Sequence, residues 1–352
     1  MPAVPHKVGI RKQVSLNPQA LWNASKRQLE PMKPTVRKLE ALYRNRAVIV
    51  GLILYVSGLG VLSQNKNFEL GGALIVLVLF GLIFPALAWF ATIRAVPLSI
   101  SVHPSAREMF VLTGCIIALS IYLIGGPQWI DNFLPRAWID SAQIKFFVTL
   151  AKKMIVFVAI PFGIFRFLFG YRARDFGIQI EGLRALRRNH LPLILLVGGA
   201  LIAFQYVLGG AAASLREGKF AAYELFLGLP LCFVWLTIEV GLVEEFFFRA
   251  LVQSRLAAWF KSEVGGVVLM SLIFGLAHAP GFIFRQAGNV EGLGPNPSVL
   301  DALAYSIVVL AVSGILFGVI WSRTKNLFAL MLLHAAGDLL PNFANFVKVW
   351  QL

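Results

Sequence analysis

The sequence is poor in acid. Only 17 Asp and Glu stand against 32 Lys and Arg in 352 residues, and charged residues of both signs make up just 14%. So few charges cannot supply the hydrated surface of a soluble domain of this length, while 58% of the residues are hydrophobic, which points to the membrane class. Cysteine is nearly absent too. Cys115 and Cys232 both sit inside apolar runs, which excludes a disulfide framework and suits two small buried side chains. No internal repeat, low-complexity linker or second soluble domain is visible. No apolar core precedes residue 47, as a cleaved signal peptide would require.

What is abundant is apolar sequence in long runs. Uncharged stretches cover residues 47–62, 70–93, 109–130, 191–215, 264–284, 302–322 and 327–333 and beyond. Most reach the roughly 20 residues that a helix needs to cross a hydrocarbon core of about 30 Å. Two further runs carry charge: 146–170, with Lys152, Lys153 and Arg166, and 225–260. The expected fold is all-α, a polytopic transmembrane bundle of eight to nine spans. It divides into a basic segment 1–46, N-terminal transmembrane helices 47–221 and a polar-motif-bearing helical core 222–352.

Lys and Arg set the expected orientation. The segment before the first span holds ten of them, and Arg94, Arg107, Arg172 to Arg188, Arg255, Lys261, Arg323 and Lys325 fall in alternate loops. The opposite loops carry little beyond Lys66, Arg136, Arg216, Lys219 and Arg285. The positive-inside rule therefore places the N-terminus in the cytoplasm and the chain in a cytoplasmic (inner) membrane. Cations spread over alternating loops do not form a nucleic-acid footprint, so the lipid bilayer is the expected partner and nucleic acid is not.

Polar groups inside such spans are costly and usually face the protein interior, which makes them the candidates for chemistry. They concentrate in 239–345: Glu239, Glu244, Glu245, Arg249, His278, His334 and Asp338. Glu245 and Arg249 are four apart with the acid first, the favourable order for a helical ion pair. Glu244 then points about 100° away and is left over for a neighbouring helix. His278 follows Phe274 by four residues, so the ring and the phenyl group share a face, and Pro280 is expected to kink or end that helix just beyond them. His334 and Asp338 are also four apart, and Asp338 could fix the His334 tautomer. Lys152, Lys153 and Arg166 are expected to snorkel to an interface.

A carboxylate beside imidazoles in a wet cavity can take a proton from water, and the nucleophile so formed can attack a peptide carbonyl. Other intramembrane chemistries leave different traces. No His-Glu-x-x-His string marks a zinc protease, "AAGD" lacks the first glycine of the aspartyl Gly-x-Gly-Asp motif, and no core segment offers a serine in Gly-x-Ser.

"EEFFFR", "FGLAH" and "HAAGD" resemble, in order and in placement on successive apolar helices, the three motifs of the CPBP family of CAAX proteases and bacteriocin-processing enzymes. The resemblance implies a glutamate-type intramembrane endopeptidase with no metal and no cofactor, acting on a membrane-associated or lipid-modified protein or peptide. It implies that Glu244 and His278 activate water, that His334 with Asp338 stabilises the oxyanion, and that Glu245, Arg249 and Phe274 support the site. The family's prenyl-protein proteases carry Asn where this chain carries Asp338. An aspartate donates a hydrogen bond only when protonated, so orientation of His334 becomes the expected role. Two alternatives remain open: a membrane scaffold or immunity-type protein that keeps the cluster as structure, and a metal-dependent hydrolase that uses the same side chains as ligands.

Overall fold

Backbone immersed in lipid satisfies its N–H and C=O groups only within itself or in a closed barrel, so each apolar run is expected to become a helix. The structure, a computed structural model, describes residues 45–284, 293–294 and 297–352. The expected basic segment 1–46, up to residue 44, and the loop residue Arg285 lie outside the described residues. The helices are α1 Arg46–Leu62, α2 Leu70–Ala91, α3 Ala106–Asp131, α4 Ala142–Phe169, α5 Leu191–Leu208, α6 Glu224–Trp259, α7 Glu263–Phe284, α8 Val299–Thr324 and α9 Leu327–Trp350. All but α1, which has 17 residues, are long and apolar enough to cross a membrane. No strand lies among the described residues, and the all-α bundle of eight to nine spans stands.

The helices differ in how they are enclosed. In α8 and α9, 56% and 61% of the central window is buried inside the protein, against 11% in α3 and α4. Large apolar side chains on α3 and α4, such as Phe110, Trp129 and Phe147, therefore face outward, where lipid solvates them without cost. His334 of α9, in contrast, is held in the interior.

Two glycines let the motif-bearing helices approach closely, the role small residues have in membrane packing. A Cβ on Gly241 of α6 would stand 2.6 Å from the Met331 carbonyl oxygen of α9. One on Gly275 of α7 would stand 2.3 Å from the Ser306 carbonyl oxygen of α8. The first contact sets the distance between the glutamates of α6 and His334. The second brings α7 close against α8, where Phe274 lies beside Gly314.

Three sequence expectations change here. Of the kink or end expected at Pro280, the end does not occur: α7 runs through Pro280 to Phe284. Lys152 and Lys153 do not snorkel: Lys152 reaches Asp131 of α3 at 2.6 Å, and Lys153 pairs with Glu239 of α6. Opposite charges on neighbouring helices offset burial where an interface was expected to. Arg255 is no loop cation either. It is fully buried, bonds Glu108 of α3 at 2.9 Å, and lies over the rings of Phe165, Tyr171 and Phe176 at 4.5–5.0 Å.

The start of α9 is fixed by Asn326, whose side-chain oxygen caps the helix by accepting from the Phe328 N–H at 3.1 Å. Its amide nitrogen donates to the Gly182 carbonyl at 2.9 Å and to His190 Nδ1 at 3.0 Å. Nδ1 must therefore accept, so the ring is neutral with its proton on Nε2. Burial holds the His190 pKa below its ordinary value, consistent with that state.

Candidate active site

The 36 residues of α6 are about 54 Å of helix, more than a bilayer core requires, so Glu244 and Glu245 sit well inside the span rather than at its end. Adjacent positions on a helix point about 100° apart, and the two glutamates accordingly meet different surroundings.

Glu245 is fully enclosed and fully used. Its Oε1 accepts from His334 Nδ1 at 2.5 Å and its Oε2 faces Arg249 Nε at 3.3 Å. The guanidinium of Arg249, also fully buried, rests on aromatic faces: 4.2 Å from the Phe274 centroid, 5.4 Å from Phe317 and 5.9 Å from Phe248. Such faces attract a cation where hydrogen-bond acceptors are scarce. The expected Glu245–Arg249 pair is present in the geometry, and Phe274 lies against its guanidinium.

Glu244 retains 16% side-chain exposure against 0% for Glu245, and Oε2 stands 3.8 Å from His334 Nε2. It lines a cavity of about 470 Å³ together with His278, Lys153 and Asp131. His278 Nδ1 lies 2.8 Å from the Phe274 carbonyl oxygen. A carbonyl can only accept, so Nδ1 carries the proton and Nε2 presents a lone pair. Phe274 packs between the two histidines, its ring centroid 4.8 Å from that of His278 and 6.5 Å from that of His334. Glu244 and His278 thus line one cavity, and His278 and His334 flank one aromatic side chain.

Asp338 is placed differently from expectation. Its Oδ2 is 3.7 Å from His334 Nε2, beyond hydrogen-bond distance, and its side chain is 36% exposed. Glu245, not Asp338, fixes the orientation of His334, because it takes Nδ1 from a fully buried position while Asp338 stands one helical turn away. Asn342 donates to the Asp338 carbonyl at 2.9 Å, a contact within α9.

Phe317 of α8 was not foreseen. It stacks on His334 with centroids 4.8 Å apart and planes 27° apart, and no sequence signal separates it from the other aromatics of an apolar span. Lys153 was seen as a charge, but its place on the cavity wall depends on how α4 packs against α6. Among the described residues no group of three or more His, Cys, Asp or Glu side chains has an arrangement that could hold a metal ion.

Residues 226–340 match the family model of the type II CAAX prenyl endopeptidase Rce1-like proteins. This segment is similar to the Rce1-like family. It contains all three motifs and every residue of the Glu244–Glu245–Arg249–Phe274–His278–His334–Asp338 cluster, so the family match and the motif resemblance agree on the CAAX protease family. The matched family is one of type II CAAX prenyl endopeptidases. Lys153 and Asp131, across the cavity, lie outside the matched segment. No curated protein and no solved structure matches the chain significantly.

Proposed function

We propose that the protein is a glutamate-type intramembrane endopeptidase that hydrolyses a peptide bond of a membrane-associated or lipid-modified protein. The observation that carries this reading is the division of labour in α6. Glu245 is consumed by His334 and Arg249, whereas Glu244 retains access to a cavity it shares with His278.

In the proposed reaction, water is held between Glu244 and the lone pair on His278 Nε2. Glu244 takes a proton as the water oxygen bonds to the scissile carbonyl carbon, a general-base step. A His334 ring protonated on both nitrogens donates from Nδ1 to Glu245 and presents Nε2–H to the oxyanion, where one such donor is worth about 3 kcal/mol in other hydrolases. The C–N bond then breaks, the proton held by Glu244 passes to the leaving amine, and a carboxylic acid and an amine are released, the acid then giving its proton to solvent. Asp338 stands beside Nε2 as a third acid and tunes His334 without touching the reacting atoms.

The same reading places the N-terminus on the cytoplasmic side of a cytoplasmic membrane, supported by the alternation of Lys and Arg along the loops. The test of function uses purified full-length protein in phospholipid vesicles with prenylated and unmodified membrane-anchored peptides, the products mapped by mass spectrometry. One new carboxyl terminus and one new amino terminus at a single bond are expected from the wild type. Persistent absence of any cleaved bond across both substrate sets, with folded protein, contradicts the reading.

A further inference from the structure

Between α4 and α5 the chain forms a short helix, Ile180–Arg188, with the sequence IEGLRALRR. One side of it is buried, through Gly182 and Ala185. A Cβ on Gly182 would stand 3.0 Å from Asn326 Oδ1, 3.2 Å from the Phe328 ring and 3.3 Å from Leu98. The helix is therefore pressed onto the first turn of α9 and onto the loop between α2 and α3. Asn326 ties it there: the amide that donates to the Gly182 carbonyl belongs to the side chain whose oxygen caps α9.

The other side is open. Ile180 and Leu183 are 55% and 44% exposed. Arg184, Arg187 and Arg188 are exposed as well, and none of the three makes a side-chain hydrogen bond or ion pair among the described residues. Glu181 is the one acid of the helix. At about 100° per residue, Leu183, Arg187, Ile180, Arg184 and Arg188 follow one another around the outer face, so apolar and guanidinium groups share it.

A basic face suits either an acidic protein in water or an anionic leaflet, and position separates the two. Spans lie on both sides of this helix, α4 closing at Phe169 and α5 opening at Leu191, which holds it at the bilayer surface. There Ile180 and Leu183 leave water for the acyl boundary while the arginines reach up to the headgroups, the arrangement of an interfacial helix. The guanidinium fork matches the oxygens of a phosphate. An acidic protein in water gives the two apolar side chains nothing to enter.

We propose that the outer face of Ile180–Arg188 is a docking surface for anionic phospholipid, with Arg184, Arg187 and Arg188 bonding headgroup phosphates and Ile180 and Leu183 seated at the acyl boundary. Bound lipid holds the helix against Asn326 and so steadies the first turn of α9, the helix that carries His334 about two turns further on. The inference depends neither on the peptidase reading nor on which leaflet faces the cytoplasm.

The test titrates full-length protein in neutral detergent with fluorescently labelled phosphatidylglycerol or phosphatidylcholine. Wild type is expected to bind phosphatidylglycerol about tenfold or more tightly than phosphatidylcholine, and less so at high salt. Each single Arg→Gln change at 184, 187 or 188 should weaken phosphatidylglycerol about fivefold and the triple change about 10²-fold. Leu183→Asp should weaken it too, the triple Arg→Lys protein should recover most of the binding, and Arg136→Gln, an exposed cation elsewhere, should leave it unchanged. Equal affinity for the two lipids, or a folded triple Arg→Gln protein that binds as wild type does, overturns the docking surface. Displacement of the lipid by inorganic phosphate or by a soluble polyglutamate peptide at matched charge overturns the choice of lipid as the occupant.

Hydrogen exchange at the Phe328 amide reads the link to α9, because that N–H has the Asn326 cap as its acceptor. Phosphatidylglycerol is expected to slow its exchange in wild type and to leave it unchanged in the triple Arg→Gln protein. Lipid that binds the helix without slowing this amide overturns the link.

Discussion

Helix α6 carries two fully buried arginines six positions apart, and they have opposite company. Arg255 bonds Glu108, lies over Phe165, Tyr171 and Phe176, and shares its carboxylate with the Tyr171 hydroxyl at 3.1 Å. Burial pushes the Tyr171 phenol up, so it remains a donor to that carboxylate. One acid, one base and one hydroxyl are bonded together, and the nearby buried Asp175 is itself engaged, accepting from the Arg172 N–H at 2.8 Å and facing Arg174 at 4.0 Å. Arg249 also rests on three aromatic rings and pairs with one glutamate, but its neighbourhood holds two more acids, Glu244 and Asp338, and two histidines. The first cluster is balanced and sealed. The second has a surplus carboxylate that faces a cavity. Buried charge alone therefore does not separate the two clusters; an acid left over after the pairing is complete does.

The comparison breaks most visibly if the sealed cluster is opened. Glu108→Ala strands the Arg255 charge and is expected to cost about 3–5 kcal/mol of stability, the usual consequence of removing one partner of a buried pair. Accumulation and melting temperature should fall together, and any folded fraction should cleave at the wild-type rate. At the open cluster, His334→Ala is expected to lower turnover by about 10²–10³, the loss of one oxyanion donor, measured on protein corrected for folded fraction. Asp338→Asn should change turnover by less than about tenfold, because the side chain stands 3.7 Å from His334 Nε2 and replaces an acid by an amide that can itself donate.

The smallest effect lies outside both clusters. His190 is neutral in the folded chain with its pKa lowered by burial, so the unfolded chain binds more protons below the ordinary value of about 6.5. The stability it contributes is full above that pH and declines as pH falls toward the folded pKa, by at most about 1.4 kcal/mol per pH unit. Thermal melts between pH 7.5 and 5.5 should show this slope in the wild type and a shallower one in His190→Gln.

Most of the architecture was legible because lipid leaves so few choices: a long apolar run becomes a span, and a charge within it turns inward. The Glu245–Arg249 pair followed from spacing alone, since both residues lie on one helix. What failed were contacts between helices. Lys153 read as a snorkelling residue because its partner, Glu239, is 86 residues away, and Arg255 read as a loop cation because its partner is on α3. Asp338 looked like the anchor of His334 because both are on α9, yet the Gly241 contact between α6 and α9 brings Glu245 nearer. Phe317 carried no signal at all, being one aromatic in an apolar helix.

The distinction between the two glutamates is tested most directly by the turnover number and melting temperature of Glu244→Gln, measured side by side on the purified protein. Loss of the general base is expected to lower turnover by about 10²–10⁴, with a melting temperature close to that of the wild type, because Glu244 retains access to the cavity and stands 3.8 Å from His334 Nε2, beyond hydrogen-bond distance. Retained turnover, or a melting temperature that collapses as it should for Glu108→Ala, would contradict the assignment and make the open cluster structural.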